Sequence, residues 1–182
     1  MEDFHKLWLD FKSEFVNQIK LQSDKGLIET WLNRTSRTTF YKKIYPYIAE
    51  KLDLKYFPKE FLKVDATMYR KDKITNWEIP VIFIESENDF ETAEEEVYKL
   101  CSLSAPIRVL ITISDEINNE KLIGWVKNWS SYIETCSEVW PNKGILGIII
   151  TDNKFNFYSM AWNEKGSIFE SLKEPIYRND SK

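Results

Sequence analysis

Three carboxylates in the middle of the chain have the spacing that suits a metal ion. Glu85 and Glu87 end the apolar run that begins at Val81, and Asp65 lies within a second short apolar run. Alternate residues of a strand face the same side, so Glu85 and Glu87 would share one face. If the two runs pair as a hairpin, Asp65 joins them, and three carboxylates repel one another unless a cation lies between them. This pattern predicts a Mg²⁺ site, with solvated surface carboxylates as the alternative.

Four apolar runs of strand length, each bounded by turn residues, predict the sheet that positions these carboxylates. They are residues 64–69, 80–87, 107–113 and 145–151. A helical pattern between the second and third runs predicts a right-handed crossover that joins parallel strands. The sequence therefore predicts an α/β fold with a mixed sheet of four to five strands flanked by helices.

The residues ahead of this sheet have helical periodicity. An apolar stripe predicts an amphipathic helix over 3–22, and a weaker pattern predicts a second short helix through Leu27, Ile28, Trp31 and Leu32. A third helical pattern covers 38–54, where Pro46 would either kink the helix or divide it in two.

The domain organisation predicted from these patterns has three parts. An N-terminal helical segment, residues 1–55, packs on an α/β core of residues 56–175, and residues 176–182 form a flexible tail. A chain of 182 residues fits one domain of this kind.

Composition excludes several classes of protein. No apolar run reaches the roughly 18 residues that span a bilayer, and the acidic start Met1-Glu2-Asp3 lacks a signal-peptide pattern. Cys101 and Cys136 fall in predicted helices and indicate reduced core thiols, so we expect a cytoplasmic protein without membrane contact. The single His5 argues against His-based metal clusters and a Ser-His-Asp triad.

Charge is distributed unevenly along the chain. Residues 30–73 contain 11 Lys and Arg against 5 Asp and Glu, a net charge of +6, whereas residues 74–140 contain 4 against 13, a net charge of −9. The basic stretch predicts a nucleic-acid-binding face, and a solvated helical face is the alternative. The candidate phosphate contacts are Arg34, Arg37, Lys42 and Lys43.

The order of Asp65, a hairpin, and then Glu85-Ser86-Glu87 at the end of an apolar strand resembles the PD-(D/E)XK nuclease superfamily, with Glu87 where Lys is usual. The resemblance implies a restriction-endonuclease-like fold and a metal site formed by Asp65 and Glu85. Glu50, on the preceding helix, would be a further metal ligand.

The same resemblance implies a function and its catalytic residues. Asp65 and Glu85 would bind Mg²⁺ or Mn²⁺, Glu87 would orient the attacking water, and Lys99 would replace the missing Lys. The implied function is a metal-dependent nuclease, an endonuclease that hydrolyses nucleic-acid phosphodiesters. The alternative is a catalytically inactive nuclease-fold module that binds a protein or nucleic-acid partner.

Overall fold

An eight-stranded mixed sheet runs through the protein. It is seen in a computed structural model that describes residues 3–22, 24–31, 33–117, 120–140 and 144–179. Its strands, in sheet order, are β1 (Lys55–Phe57), β2 (Ala66–Lys71), β3 (Glu78–Ser86), β4 (Ile107–Ile113), β5 (Ile145–Thr151), β6 (Phe157–Trp162) and β7 (Ile168–Glu170), and β8 (Pro175–Tyr177) also pairs with β6.

The three central strands are parallel and the outer ones are antiparallel. β4 pairs in parallel with β3 and with β5, while β1, β2 and β3 form an antiparallel meander on one side. β6 pairs antiparallel with β5, β7 and β8 on the other side. The predicted mixed α/β sheet is confirmed, but the predicted number of strands was wrong. β1, β7 and β8 have three residues each, too few to show a periodic pattern.

In the described part of the chain, five helices cover the two faces of the sheet: α1 (Phe4–Lys20), α2 (Asp24–Trp31), α3 (Arg34–Lys51), α4 (Glu94–Ser102) and α5 (Glu120–Val139). Residues that alternate along a strand divide between two cores, since successive side chains of a strand point to opposite faces. In β4, Val109 packs in the core beneath the N-terminal helices, and Leu110 packs in the core beneath α4 and α5. The predicted N-terminal helix is confirmed as α1.

Pro46 lies inside α3, which continues from Arg34 to Lys51 without a break. The alternative of two short helices was therefore wrong. Pro46 lies on the exposed side of α3, where water can reach the backbone carbonyl that lacks its usual donor.

Some predictions concern residues that the structure does not describe. Leu32, the residues 141–143 at the predicted end of a helix, and 180–182 of the predicted tail lie outside the described residues. The domain boundaries stay predictions, with β1 beginning at Lys55 and β8 at Pro175. None of the helices in the described part of the chain has the length and apolar character needed to cross a membrane.

Gly147 gives a direct test of how α1 packs on the sheet. A Cβ at Gly147 of β5 would lie 2.3 Å from the nearest indole carbon of the fully buried Trp8. We expect Gly147→Ala to lower the free energy of unfolding by about 1–3 kcal/mol, because overpacking forces side chains or backbone to move. Urea unfolding measures this change.

Gly124 of α5 provides the matched control. Nothing lies within 4 Å of a Cβ built there, so Gly124→Ala should raise the free energy of unfolding by roughly 0.5–1 kcal/mol through helix propensity. Equal stabilities of the Gly147→Ala variant and the wild type would contradict this packing of Trp8.

Candidate functional site

Glu85 is a buried carboxyl at the carboxyl end of a central strand. It is the last residue but one of β3, is 3% exposed, and faces the side of the sheet that α4 covers. The β3–α4–β4 crossover packs Val97 and Leu100 of α4 against this face. Lys99, between them, reaches the strand end, and its Nζ lies 2.6 Å from Glu85 Oε1.

The ammonium group of Lys99 contacts three oxygens. Besides Glu85, Nζ lies 2.5 Å from Glu96 Oε2 and donates a hydrogen bond of 3.0 Å to the carbonyl of Lys63. The backbone of Leu62 and Lys63 is left-handed, with φ of 54° and 62°. Such a conformation costs about 1–2 kcal/mol per residue, and strain of this kind is common at functional sites. Lys99 therefore ties α4 to the strained turn that leads into Asp65.

Burial has the largest single effect on the pKa values of Glu85 and Lys99. The net pKa of Glu85 is raised from 4.5 to about 8: burial raises it most, the contact with Lys99 lowers it, and the charges of Asp65 and Glu96 raise it. Burial lowers the pKa of Lys99, but the contacts with Glu85 and Glu96 more than offset this effect, and the net shift is upward. Glu85 therefore holds its proton to a higher pH than an ordinary glutamate does.

Asp65 lies beside Glu85, as the predicted hairpin requires. β2 and β3 pair with Ala66 opposite Ile84, which brings the residue before Ala66 to the end of β3. Asp65 is exposed, and its Oδ2 accepts hydrogen bonds from Ser86 N at 2.9 Å and from Ser86 Oγ at 2.8 Å. Asp65 thus joins the two strand ends and contributes negative charge to the rim of the site.

Tyr45 lies in the core on the opposite face of the sheet from Lys99, and the charges of the site influence its hydroxyl. Its side chain is buried in α3, and within the described part of the chain its hydroxyl has no hydrogen-bond partner. Burial raises the pKa of Tyr45 well above its ordinary value, and nearby charges, including Asp65 and Glu85, add to the shift. In the sequence Tyr45 merely continues an apolar stripe, so no signal separated it from core residues.

Glu87 follows Ser86, the last residue of β3, and its predicted place beside Glu85 stays a prediction. Glu87 N donates to the carbonyl of Ile111, and Glu87 Oε1 accepts from Asn88 N at 2.6 Å. Its carboxylate is thus engaged by the next residue of its own loop.

Glu50 lies exposed near the end of α3. Nowhere in the described part of the chain do three or more His, Cys, Asp or Glu residues gather as metal ligands. The ammonium of Lys99 also stands where a cation beside Glu85 would be. This donor set does not fit a divalent ion. The predicted binding of Mg²⁺ or Mn²⁺ stays an untested prediction.

The predicted basic face is only partly available. Arg34, Lys42 and Lys43 are exposed on α3. Arg37 is engaged inside the protein, where it donates to Asn88 Oδ1 and to the carbonyl of Trp31, each at 2.8 Å. Burial also lowers the pKa of Arg37. Its role in contacting a nucleic acid or protein partner, like that of the other three, stays a prediction.

Comparisons with known proteins identify no family for this chain. No family model matches it, and no curated protein matches it. Among solved structures, it is similar to a carbon-nitrogen hydrolase from Helicobacter pylori G27, with 11% sequence identity and a TM-score of 0.38. The match covers 74% of this chain and 63% of that enzyme, less than two thirds of its length. A likeness at this level transfers no activity.

These findings correct the interpretation drawn from the acidic motif. The structural likeness is to a carbon-nitrogen hydrolase and not to a PD-(D/E)XK nuclease, so the predicted superfamily was wrong. The predicted nuclease function and the alternative of a nuclease-fold binding module, both inferred from that superfamily, were therefore also wrong. The misleading feature was short: Asp and Glu at two adjoining strand ends occur in many sheets, because carboxylates suit solvated strand termini.

Proposed function

We propose that the chain is an enzyme in which Glu85 transfers a proton and Lys99 stabilises negative charge on the substrate. The observation that carries this proposal is the buried Glu85 carboxyl, with a pKa of about 8, in contact with the Lys99 ammonium. A general acid or base works best when its pKa lies near the operating pH, and perturbed groups of this kind cluster at active sites.

The two residues have different accessibilities, and these suit different roles. The side chain of Lys99 is 30% exposed and that of Glu85 is 4% exposed, so a substrate meets the ammonium at the surface and the carboxyl behind it. Protonated Glu85 acts as a general acid towards a leaving group, and its ionised form acts as a general base towards water or a substrate proton. Lys99 balances the charge that develops on a substrate oxygen.

The proposal is tested first by titrating Glu85 in the absence of any substrate. With ¹³C-labelled Glu side chains, the Glu85 carboxyl signal is assigned by its loss in Glu85→Gln, and it should titrate near pH 8. Lys99→Met should move this titration upward, because the ammonium lowers the pKa of Glu85.

The matched control is Lys121→Met. Lys121 is also a helix lysine paired with a glutamate, Glu91, but both side chains are largely exposed. Lys121→Met should leave the Glu85 titration unchanged. Titration of Glu85 below pH 5 in the wild type would remove the basis of the proposal, since no proton would then be poised for transfer near neutrality.

A further inference from the structure

The hairpin that joins β2 to β3 presents three large apolar side chains to solvent. Ile74 is 91% exposed, Trp77 is 76% exposed and Ile79 is 51% exposed. All three belong to residues 70–79, which we call the hairpin tip. Contact with water is unfavourable for apolar side chains, and a cluster of them on a surface marks a place that binds a partner. The hairpin tip is therefore a candidate interaction surface.

The hairpin tip projects beyond the rest of the sheet. β1 pairs with β2 only as far as Tyr69, and β4 pairs with β3 only from Ile82 onward. In the described part of the chain, the strand residues of the tip thus pair only with each other, residues 70–71 with residues 78–79. A projecting tip offers no groove in which a ligand could lie, but it can enter a soft surface.

The turn of the hairpin tip has a defined shape in which its backbone donors are paired. Asp72 Oδ1 accepts from Ile74 N at 3.1 Å and from Thr75 N at 2.7 Å. Asn76 N donates to the carbonyl of Asp72 at 3.0 Å, and Trp77 N donates to Thr75 Oγ1 at 3.3 Å. An unpaired N–H is costly wherever water is scarce, so a segment that enters lipid needs paired amides of this kind.

Basic side chains lie next to the apolar ones. The hairpin tip contains Arg70, Lys71 and Lys73 against Asp72 and Glu78, a net charge of +1. Lys71 and Lys73 are both exposed. Lysines near a bilayer are attracted by anionic headgroups, and an indole ring is well suited to the boundary between headgroups and acyl chains. The charge of the tip therefore complements an anionic lipid surface.

We propose that the hairpin tip docks on the surface of an anionic lipid bilayer, with Ile74 and Trp77 among the headgroups and the lysines beside the lipid phosphates. Two of its three apolar side chains are aliphatic, which disfavours a nucleic acid because bases stack on aromatic rings. The expectation of no membrane contact rested on the lack of an apolar run long enough to span a bilayer, and docking on the surface needs no such run.

The membrane contact and the proposed catalysis use opposite ends of β3. This strand begins in the hairpin tip with Glu78 and carries Glu85 near its other end. At a rise of about 3.3 Å per residue, the two positions lie about 23 Å apart. Docking of the tip therefore leaves the Glu85 site away from the lipid, and either proposal can fail without the other.

The test is flotation of the full chain with vesicles of phosphatidylcholine alone or of phosphatidylcholine mixed with phosphatidylglycerol. We expect the protein to bind the anionic vesicles, and to bind them less at high salt, which screens the lysines. Trp77→Ser should lower the vesicle partition coefficient roughly tenfold or more, because the indole is the largest apolar group of the tip. Lys71→Glu combined with Lys73→Glu should also weaken binding to the anionic vesicles.

Trp140→Ser is the matched control. Trp140 is 74% exposed, but it follows the end of α5 and lies outside the hairpin tip. Its replacement should leave vesicle binding unchanged. Both tryptophans are largely exposed, so neither substitution should unfold the protein, and urea unfolding of the two variants checks this.

Several outcomes would overturn the proposal. These are a wild type that does not float with the anionic vesicles, and flotation that Trp77→Ser leaves unchanged. Equal binding to the neutral vesicles would overturn the role given to the lysines. If the wild type instead forms a dimer, or binds a single-stranded oligonucleotide, and Trp77→Ser abolishes this without any vesicle binding, the tip serves a second copy of the chain or a nucleic acid.

Discussion

Glu85→Gln should stabilise the protein at alkaline pH and strongly lower the proposed catalytic activity. In the folded protein the pKa of Glu85 is raised from 4.5 to about 8, chiefly by burial, so the folded state holds this proton more tightly than the unfolded state does. The stabilisation from protonated Glu85 is fully present below about pH 4.5 and is lost as the pH rises through about 8. Gln has the shape of the protonated side chain and does not ionise. The variant should therefore match the wild type at pH 5 and exceed its stability at pH 9.

Urea unfolding at pH 5, 7 and 9 measures this difference. Glu91→Gln is the control, because Glu91 is exposed and its ion pair with Lys121 is open to solvent. An exposed pair is worth about 0–1 kcal/mol, so the control variant should follow the wild type at each pH. A Glu85→Gln variant that is less stable than the wild type at pH 9 would mean that ionised Glu85 serves as a structural partner of Lys99.

The catalytic part of the prediction uses the same variant. A panel of chromogenic carboxylic esters, amides and phosphate monoesters provides the initial substrates. Glu85→Gln should lower kcat/KM for any substrate of the wild type by about 10²–10⁴-fold, the usual contribution of a positioned general acid or base. Turnover that survives unchanged in this variant would exclude Glu85 from the reaction.

Glu170→Ala should have the largest effect on stability. Glu170 lies in β7 and joins α1 to the sheet: Oε2 accepts from Trp8 Nε1 at 2.7 Å, and Oε1 accepts from Lys12 and from Ser159. The side chain of Lys12 is 12% exposed. Removal of the Glu170 carboxylate leaves the Lys12 charge and a buried indole N–H without their acceptor. Such a loss lowers the free energy of unfolding by about 3–5 kcal/mol. Chemical denaturation at pH 7 measures the change.

The pH dependence of this effect is opposite in sign to that of Glu85. Burial raises the pKa of Glu170, but the donors Lys12, Ser159 and Trp8 more than offset burial, and the net shift is downward. A carboxyl with a depressed pKa stabilises the protein above its unfolded pKa, and this contribution is lost as the pH falls through the folded value. The loss of stability caused by Glu170→Ala should therefore be smaller at acidic pH.

Glu174→Ala is the matched control for Glu170. Glu174 pairs with Arg178 four residues later, but its side chain is 81% exposed. An exposed pair of this kind should contribute about 0–1 kcal/mol. Similar losses in the two variants would contradict the buried network around Glu170.

The sequence by itself determined the helices and strands whose apolar residues follow a clear helical or strand pattern. The stripe of α1 and the apolar runs of β3, β4 and β5 are long enough for periodicity to identify them, because burial of one helix face or of a whole strand is a local requirement. The hairpin that places Asp65 beside Glu85 also followed from adjacent runs joined by a charged turn. Glu85 was a candidate from the spacing of the carboxylates, and Lys99 was a candidate only from the resemblance to the nuclease superfamily.

Only the tertiary structure decided which of these candidates meet. The Glu87 carboxylate accepts a hydrogen bond from Asn88 N, and Arg37 donates to an amide oxygen and a carbonyl inside the fold. Tyr45 is buried on the opposite face of the sheet, where packing of α3 chiefly determines its pKa. The pKa of Glu85 was set chiefly by its burial beneath α4, with the like charges as a smaller contribution. Each of these outcomes depends on packing between distant segments, and residue type and spacing do not encode the desolvation or contacts that such packing creates.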